Sequence, residues 1–252
     1  MPAGDTRPAG TRPVGRVASG APEGTLPGGA TVTVVPDVPA AFADAVVSAF
    51  QSRAGAPSAP FVLLLSGGPT ARRCYEELAR RADAIDWSRV VVAMGDERRV
   101  CPDDPEANEL LVRQALLERV PPVSDFVSML DAPEPRAFEQ RLADGRRPDV
   151  VHLGLGPDGH TASLFAGSPA LWSAPDRLVV TSTDPTGRNP WPRLTLTFAG
   201  IARAHQVLFT VVGHEKAAAF AAVRRHVPVP AALVRAEGIR WLVDPAAAGV
   251  DH

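Results

Sequence analysis

A glycine-rich segment in the middle of the chain carries residue types suited to proton transfer. An apolar run at residues 150–153 leads into GLGPDGH at residues 154–160. A strand ending in such a loop presents polar side chains at the carboxyl edge of a sheet, where open α/β folds bind ligands. An imidazole titrates near neutral pH, so His160 is a candidate for proton transfer, and Asp158 lies two residues before it in the same turn. The alternative is a structural turn with a solvated His160, followed by a helix capped by Thr161 or Ser163.

Two further loops that follow apolar runs carry groups suited to anion binding. The serine-glycine loop, SGGPT at residues 66–70, lets the backbone at Gly67 and Gly68 approach a ligand and leads into a predicted helix N-terminus. The arginine loop, residues 95–100, places Arg98 at a strand end, where a guanidinium can hold phosphate or carboxylate bidentately. A plain tight turn and a surface ion pair are the alternatives.

Lys216 is the one lysine among 26 basic residues. It belongs to the lysine loop, residues 213–216, and falls in the first turn of a predicted helix, where a cation opposes the helix dipole. Lysine and arginine are not interchangeable around a ligand, so this position favours a functional ammonium over a solvated helix lysine.

Strand-like and helix-like patterns alternate after residue 30 and must position these loops. Strands are predicted at residues 31–35, 61–65, 90–94, 150–155, 178–182, 193–198, 206–212 and 239–243. Helices are predicted at residues 40–53, from the serine-glycine loop through 82, and at 106–119, 135–144 and 214–225, with Asp104 as a cap. This alternation predicts an α/β fold with a mainly parallel sheet and helices on both faces. Residues 1–30, with seven glycines and five prolines, are predicted to be a disordered tail before a single domain at 31–252.

Composition limits the possible partners. A net charge of −2 gives no general attraction to nucleic acid or acidic membranes, so a bound anion requires a local site. No apolar run approaches the ~20 residues that span a bilayer. The two cysteines, Cys74 and Cys101, form neither a disulfide framework nor a metal-ligand spacing, which predicts a reducing cytoplasm. A monomer or small homo-oligomer is expected.

Taken in order, the loops resemble the motifs of the 6-phosphogluconolactonase family, within the larger group that includes glucosamine-6-phosphate deaminases. The similar segments are residues 66–70, 95–98, 104–108, 154–165, 192–197, 213–216 and 241–244, and the resemblance covers roughly residues 34–248. The continuation TASLF at residues 161–165 favours the lactonase over the deaminase. Pro69 departs from the family's usual serine and removes one N–H, which makes Thr70 more important.

The resemblance implies a Rossmann-like three-layer fold and hydrolysis of 6-phospho-D-glucono-1,5-lactone to 6-phosphogluconate, a step of the oxidative pentose phosphate pathway. It implies that His160 activates water, assisted by Asp158, and requires neither metal nor cofactor. The residues expected to hold the substrate and its phosphate are Gly67, Gly68, Thr70, Arg98, Arg193 and Lys216. Backbone N–H groups or an arginine would stabilise the oxyanion. An amino-sugar-phosphate isomerase or deaminase, and a non-catalytic sugar-phosphate-binding regulator, are the alternatives.

Overall fold

The computed structural model describes residues 23–26, 29–53, 59–131, 134–142 and 147–250. Eight strands form the central sheet: β1 (Glu23–Thr25), β2 (Thr31–Val34), β3 (Phe61–Leu65), β4 (Val90–Met94), β6 (Asp125–Val127), β7 (Val150–Gly154), β10 (Gln206–Val211) and β11 (Gly238–Val243). Their spatial order is β1-β2-β11-β10-β7-β3-β4-β6, and every neighbouring pair except β1–β2 is parallel. The predicted α/β fold with a mainly parallel sheet is therefore confirmed.

Helices connect the parallel strands. They are α1 (Val38–Ser52), α2 (Pro69–Ala79), α3 (Asn108–Val112), α4 (Pro135–Leu142), α5 (Phe198–Ala202), α6 (Ala217–Arg224), α7 (Pro230–Leu233) and α8 (Pro245–Ala248). The β3–α2–β4 and β10–α6–β11 connections advance toward opposite edges of the sheet. Because such crossovers are right-handed, these helices lie on opposite faces. No helix within the described ranges is long and apolar enough to cross a membrane.

The core explains why the central strands form. All five residues of β3 and all five of β4 are buried, as expected for parallel strands covered on both faces. Helix α1 begins at a cap in which Asp37 accepts a hydrogen bond from the Ala40 N–H. Its buried Phe42, Val46 and Phe50 recur every four residues and form one apolar stripe.

A second sheet was not predicted. Its antiparallel strands β5 (Asp96–Arg98), β9 (Arg193–Leu196) and β8 (Val179–Ser182) lie in that spatial order. The strands predicted at residues 178–182 and 193–198 thus exist with small shifts but lie outside the main sheet. Strand propensity reveals that a segment is extended, whereas its partner depends on distant residues.

The helix predicted at residues 106–119 begins at Asn108 instead and is not α-helical throughout. Helix α3 is followed by a π-helical turn, Arg113–Leu117. Asp104 does not cap it, because its Oδ1 accepts from the Glu106 N–H. The buried Glu97 carboxylate instead accepts hydrogen bonds from the first two N–H groups of α3, at 2.8 and 2.7 Å. Burial raises the pKa of Glu97 to about 7 although these hydrogen bonds lower it. Because this cap comes from Glu97 on β5, the residues just before α3 give no sign of it in the sequence.

The predicted disordered tail needs a correction. Residues 1–22 and 27–28 lie outside the described residues, but β1 pairs antiparallel with β2, with Glu23 opposite Thr33. Leu26 packs against the core and Ala30 is buried within it. The prediction is therefore wrong for residues 23–26 and 29–30, where backbone pairing compensates for a composition poor in apolar side chains. A single domain over residues 31–252 stays a prediction.

Candidate active site

The loops singled out in the sequence meet at one edge of the sheet. Strands β10, β7, β3 and β4 are neighbours in that order, and the lysine loop, the histidine loop (residues 154–165), the serine-glycine loop and the arginine loop follow them. They contribute to one cavity of about 380 Å³. Seven of the eight predicted site residues line it: Gly67, Gly68, Thr70, Arg98, His160, Arg193 and Lys216. The eighth, Asp158, lies directly behind His160.

Asp158 orients the imidazole of His160. Its Oδ1 lies 2.5 Å from His160 Nδ1, and the two side chains are 28% and 22% exposed. Partial burial would raise the pKa of Asp158, but the charge and hydrogen bonds of His160 outweigh it and lower that pKa. An ionised Asp158 can only accept a hydrogen bond, so Nδ1 carries the proton and Nε2 is the basic nitrogen.

Glycines make this arrangement possible. A Cβ at Gly156 would lie 2.1 Å from His160 Nδ1 and 2.7 Å from Asp158 Oδ1, so a larger residue would displace both side chains. Gly159 has φ +84°, a conformation that favours glycine. The Gly156 N–H bonds the His160 carbonyl and the Gly159 N–H bonds the Gly156 carbonyl. These two N–H groups are therefore used within the loop rather than offered to an oxyanion.

No helix starts at Thr161 or Ser163, so the alternative interpretation of this segment as a capped helix start is wrong. Thr161 instead forms a bridge with Leu164, and its hydroxyl donates to the Gly154 carbonyl at 2.8 Å. The Ser163 hydroxyl donates to Asp96 Oδ2 at 2.6 Å. The histidine loop is thus closed by its own contacts and by a contact with Asp96 at the start of β5.

Arg193 is a desolvated cation beside this loop. Its side chain is 7% exposed, and its Nη1 lies 3.3 Å from Ser163 Oγ and 3.8 Å from Asp96 Oδ2. Burial lowers the pKa of Arg193, and the Asp96 charge opposes that change. Among the described residues, no group accepts a hydrogen bond from its buried Nε. A guanidinium with an unused donor at a cavity is suited to an anionic ligand.

Arg98 forms an ion pair and also lines the cavity, so both interpretations considered from sequence apply to it. Its Nη1 donates to the Glu106 carbonyl oxygen at 2.7 Å and to Glu106 Oε2 at 3.0 Å, so the ion pair exists. Arg98 nevertheless lines the cavity, and its buried Nε also lacks a partner in the described part of the chain. Glu106 is half exposed and leaves Arg98 able to contact a ligand.

The serine-glycine loop approaches its neighbours closely. Gly68 has φ +102° and precedes α2, which begins with Pro69. A Cβ at Gly67 would lie 1.8 Å from Asn108 Oδ1, so the backbone packs directly against that side chain. The predicted loop-to-helix transition is present, and its first helical residue has no N–H to donate.

The lysine loop is a 3₁₀ turn, His214–Lys216, that leads into α6. The Gly213 N–H donates to Asp244 Oδ2 at 3.0 Å, which ties the loop to the end of β11. Lys216 is the residue immediately before α6 rather than one within its first turn, and it still lies at the positive end of the helix dipole.

Several cavity residues were missed from the sequence. Asn108, His152, Asn189, Thr210 and Glu215 also line the cavity. The available signal was a polar residue inside an otherwise apolar strand, as at His152 in β7 and Thr210 in β10. A buried polar group needs a hydrogen-bond partner, so such positions call for explanation.

Comparison with known proteins establishes the family. A family model described as glucosamine-6-phosphate isomerases/6-phosphogluconolactonase matches residues 36–242. The chain belongs to this family. A 6-phosphogluconolactonase from a Nostoc species is 37% identical over 86% of this chain and 96% of its own length. One from Mycobacterium tuberculosis is 38% identical over 74% of this chain and 83% of its own.

Solved structures agree with this placement in the family. The crystal structure of a 6-phosphogluconolactonase from Thermotoga maritima has a TM-score of 0.74 and 28% identity, covering 84% of this chain and 98% of that one. The structure of a monomeric glucosamine-6-phosphate deaminase has a TM-score of 0.72 at 20% identity, and the match covers 87% of this chain and 99% of that one. At this identity the likeness shows a common fold and nothing more. The description of the matching family model itself names both glucosamine-6-phosphate isomerases and 6-phosphogluconolactonase.

Proposed function

We propose that this protein hydrolyses 6-phospho-D-glucono-1,5-lactone to 6-phosphogluconate in the oxidative pentose phosphate pathway. The observation that carries the proposal is the Asp158-oriented His160 in the same cavity as three cations, Arg98, Arg193 and Lys216. A basic nitrogen suits activation of water, and the cations suit the phosphate of the substrate. The relatives of 37% and 38% identity are named 6-phosphogluconolactonases.

His160 Nε2 removes a proton from water as the water oxygen attacks the lactone carbonyl. The resulting tetrahedral intermediate collapses, and the bond between the carbonyl carbon and the ring oxygen breaks. The ring oxygen takes the proton from the imidazolium and becomes a hydroxyl group, which restores neutral His160. Asp158 stabilises the transient imidazolium and keeps the ring oriented, as an acceptor of its Nδ1 proton.

The phosphate is held by Arg98, Lys216 and the serine-glycine loop, where Gly67, Gly68 and Thr70 border the cavity. Arg193 supplies a further phosphate contact or the oxyanion donor. Its contact with Ser163 places it beside the histidine loop, and its Nε is not used within the protein's described residues. An arginine suits the oxyanion because the N–H groups of Gly156 and Gly159 in the histidine loop are already bonded.

A coupled assay tests the reaction. Glucose-6-phosphate dehydrogenase generates the lactone, and 6-phosphogluconate formation is compared with the spontaneous rate. The variant His160→Asn is expected to lose roughly 10²–10⁴-fold in kcat, the usual contribution of a general base. His226→Asn makes the same change at an exposed histidine outside the cavity and its loops, and is expected to retain activity.

The outcomes separate the alternatives. Wild-type kcat in folded His160→Asn would remove His160 from the chemistry. Ammonia release from glucosamine 6-phosphate without lactone hydrolysis would favour the deaminase. Tight binding of 6-phosphogluconate with no turnover would favour the non-catalytic regulator.

We also propose that the protein works in the cytoplasm as a monomer or small homo-oligomer, without nucleic-acid or membrane partners. Cys74 and Cys101 are both free, which suits a reducing compartment. The net charge of −2 suits a protein whose anion binding is local.

A further inference from the structure

A series of hydrogen-bonded, buried polar side chains lies at the floor of the cavity, and three of its four members, Ser66, His152 and Thr210, also line that cavity. The Tyr75 hydroxyl is within 2.9 Å of the Ser66 nitrogen, 2.7 Å of the Ser66 carbonyl oxygen and 2.9 Å of His152 Nδ1. His152 Nε2 lies 2.8 Å from the Thr210 hydroxyl, and the Ser66 hydroxyl donates to the His152 carbonyl at 2.8 Å. All four residues are buried.

Tyr75 replaces a missing strand partner. The β3–β4 pairing ends at Leu65 and Met94, one residue before Ser66. Beyond it, the Ser66 N–H donates to the Tyr75 oxygen while the Tyr75 O–H donates to the Ser66 carbonyl. One hydroxyl thus satisfies both backbone groups of the residue that opens the serine-glycine loop, groups that would be costly to bury unpaired.

These contacts determine which atom carries each proton along the series of hydrogen bonds. Because Tyr75 donates its single proton to Ser66, His152 Nδ1 must donate to the Tyr75 oxygen, and Nε2 must accept from Thr210. The second contact requires a neutral imidazole, because a protonated Nε2 could not accept a hydrogen bond. Burial lowers the pKa of His152 to about 3, in agreement with this state. Burial also raises the pKa of Tyr75 and keeps its hydroxyl protonated.

The linked residues belong to the elements that carry the binding and reacting groups. Ser66 follows β3, and Tyr75 lies on α2, which leaves the serine-glycine loop. His152 lies on β7, two residues before the histidine loop, and Thr210 lies on β10, three residues before the lysine loop. The hydrogen bonds therefore run across three adjacent strands immediately below the three loops.

We propose that Tyr75 and His152 are positioning residues that hold the phosphate-binding serine-glycine loop in register with the loops of His160 and Lys216. The proposal rests on the proposed function, because it assumes that the serine-glycine loop contacts the substrate's phosphate. Tyr75 lies outside the cavity lining, so its effect on a ligand must pass through the residues it bonds, Ser66 and His152.

Apolar packing alone would not require these buried hydrogen bonds. The rings of Phe42 and His152 lie 4.3 Å apart between centroids, so the surroundings could accept an apolar side chain in β7. Hydrogen bonds add direction to packing, because they fix which atom of one strand faces which atom of the next. That restriction is useful at a site whose parts come from separate strands.

The test compares Tyr75→Phe with Thr197→Val. Each variant removes a buried hydroxyl that bonds one backbone N–H and one carbonyl, since Thr197 Oγ1 accepts from Gly200 N at 3.0 Å and donates to the Arg177 carbonyl at 2.6 Å. Thr197 lies outside the cavity lining. Both changes should lower Tm, but only Tyr75→Phe should raise the Kd for 6-phosphogluconate, by about tenfold, or about 1.4 kcal/mol. KM should rise more than kcat falls.

A second pair of variants, His152→Asn and His152→Leu, tests the proposal if Tyr75→Phe does not fold. His152→Asn can place an amide N–H near the position of Nδ1, whereas His152→Leu cannot donate to Tyr75. His152→Asn should keep 6-phosphogluconate affinity close to wild type, and His152→Leu should weaken it. Unchanged Kd and KM in folded Tyr75→Phe, or equal affinities in the His152 pair, would overturn the proposal. Wild-type protein that binds neither inorganic phosphate nor 6-phosphogluconate would instead overturn the proposed function and this proposal with it.

Discussion

The buried His152 predicts a specific response of stability to pH. Its pKa is about 3 in the folded protein and about 6.5 when exposed. Between these values the unfolded chain binds a proton that the folded protein excludes, so acidification favours unfolding. Each pH unit below 6.5 is worth about 1.4 kcal/mol, which gives a loss of about 2 kcal/mol at pH 5. Tyr75 and Cys74, the titratable groups of α2 on this side, stay neutral because burial raises their pKa values, that of Cys74 to about 12.

Glu97 acts in the opposite direction over the same pH range. Its pKa is about 7 in the folded protein against 4.5 when exposed, so the folded protein holds a proton that the unfolded chain has lost. Its contribution to stability is therefore present at low pH and lost as pH rises. Between pH 5 and 7 this amounts to about 2 kcal/mol. Taken together, the His152 and Glu97 contributions nearly cancel in the wild-type protein.

Urea unfolding of wild type and His152→Asn at pH 5, 6 and 7 isolates the histidine contribution, because Glu97 and all other groups are common to both proteins. The free energy of unfolding of His152→Asn, relative to wild type, should rise by about 2 kcal/mol from pH 7 to pH 5. His214→Asn provides the matched control for loss of an exposed imidazole. A constant difference between His152→Asn and wild type across this range would refute the burial of a neutral His152.

Three further predictions test the binding groups and the chain's first described strand. Arg98→Ala should raise KM roughly 10–100-fold, the loss of a charge-assisted hydrogen bond, with a smaller change in kcat; a fall in kcat at constant KM would assign Arg98 to the oxyanion. Phosphate or 6-phosphogluconate should raise the Tm of wild type by mass action, and this shift should shrink in Lys216→Ala; equal shifts in melting experiments would return Lys216 to a surface role. Deletion of residues 1–30 should lower Tm by several degrees relative to deletion of residues 1–22, because only the longer deletion removes β1; identical melting curves would show that the β1–β2 pairing adds no stability.

The loops at the sheet edge could be predicted from sequence because each combines an apolar run with a nearby turn. That local pattern identified His160, Arg98 and Lys216 as neighbours in space, although their roles remain predictions. The second sheet and the Glu97 cap could not be predicted in this way. Both depend on which distant segment supplies the hydrogen-bond partner, and a single sequence shows only the segment itself. His152 was missed for the same reason, since its partners lie on α2 and β10.

Under the proposed function, Pro69 moves part of the phosphate binding from the backbone to side chains. Helix α2 begins at Pro69, so its first residue offers no N–H to a phosphate. Three cations line the cavity instead. Burial lowers the pKa of Arg193, the Asp96 charge raises it, and the charge of Arg98 lowers it again. In the proposed complex, a phosphate dianion would relieve the repulsion between these two guanidinium groups. Under the proposed function, this relief would compensate for the backbone donor that Pro69 lacks.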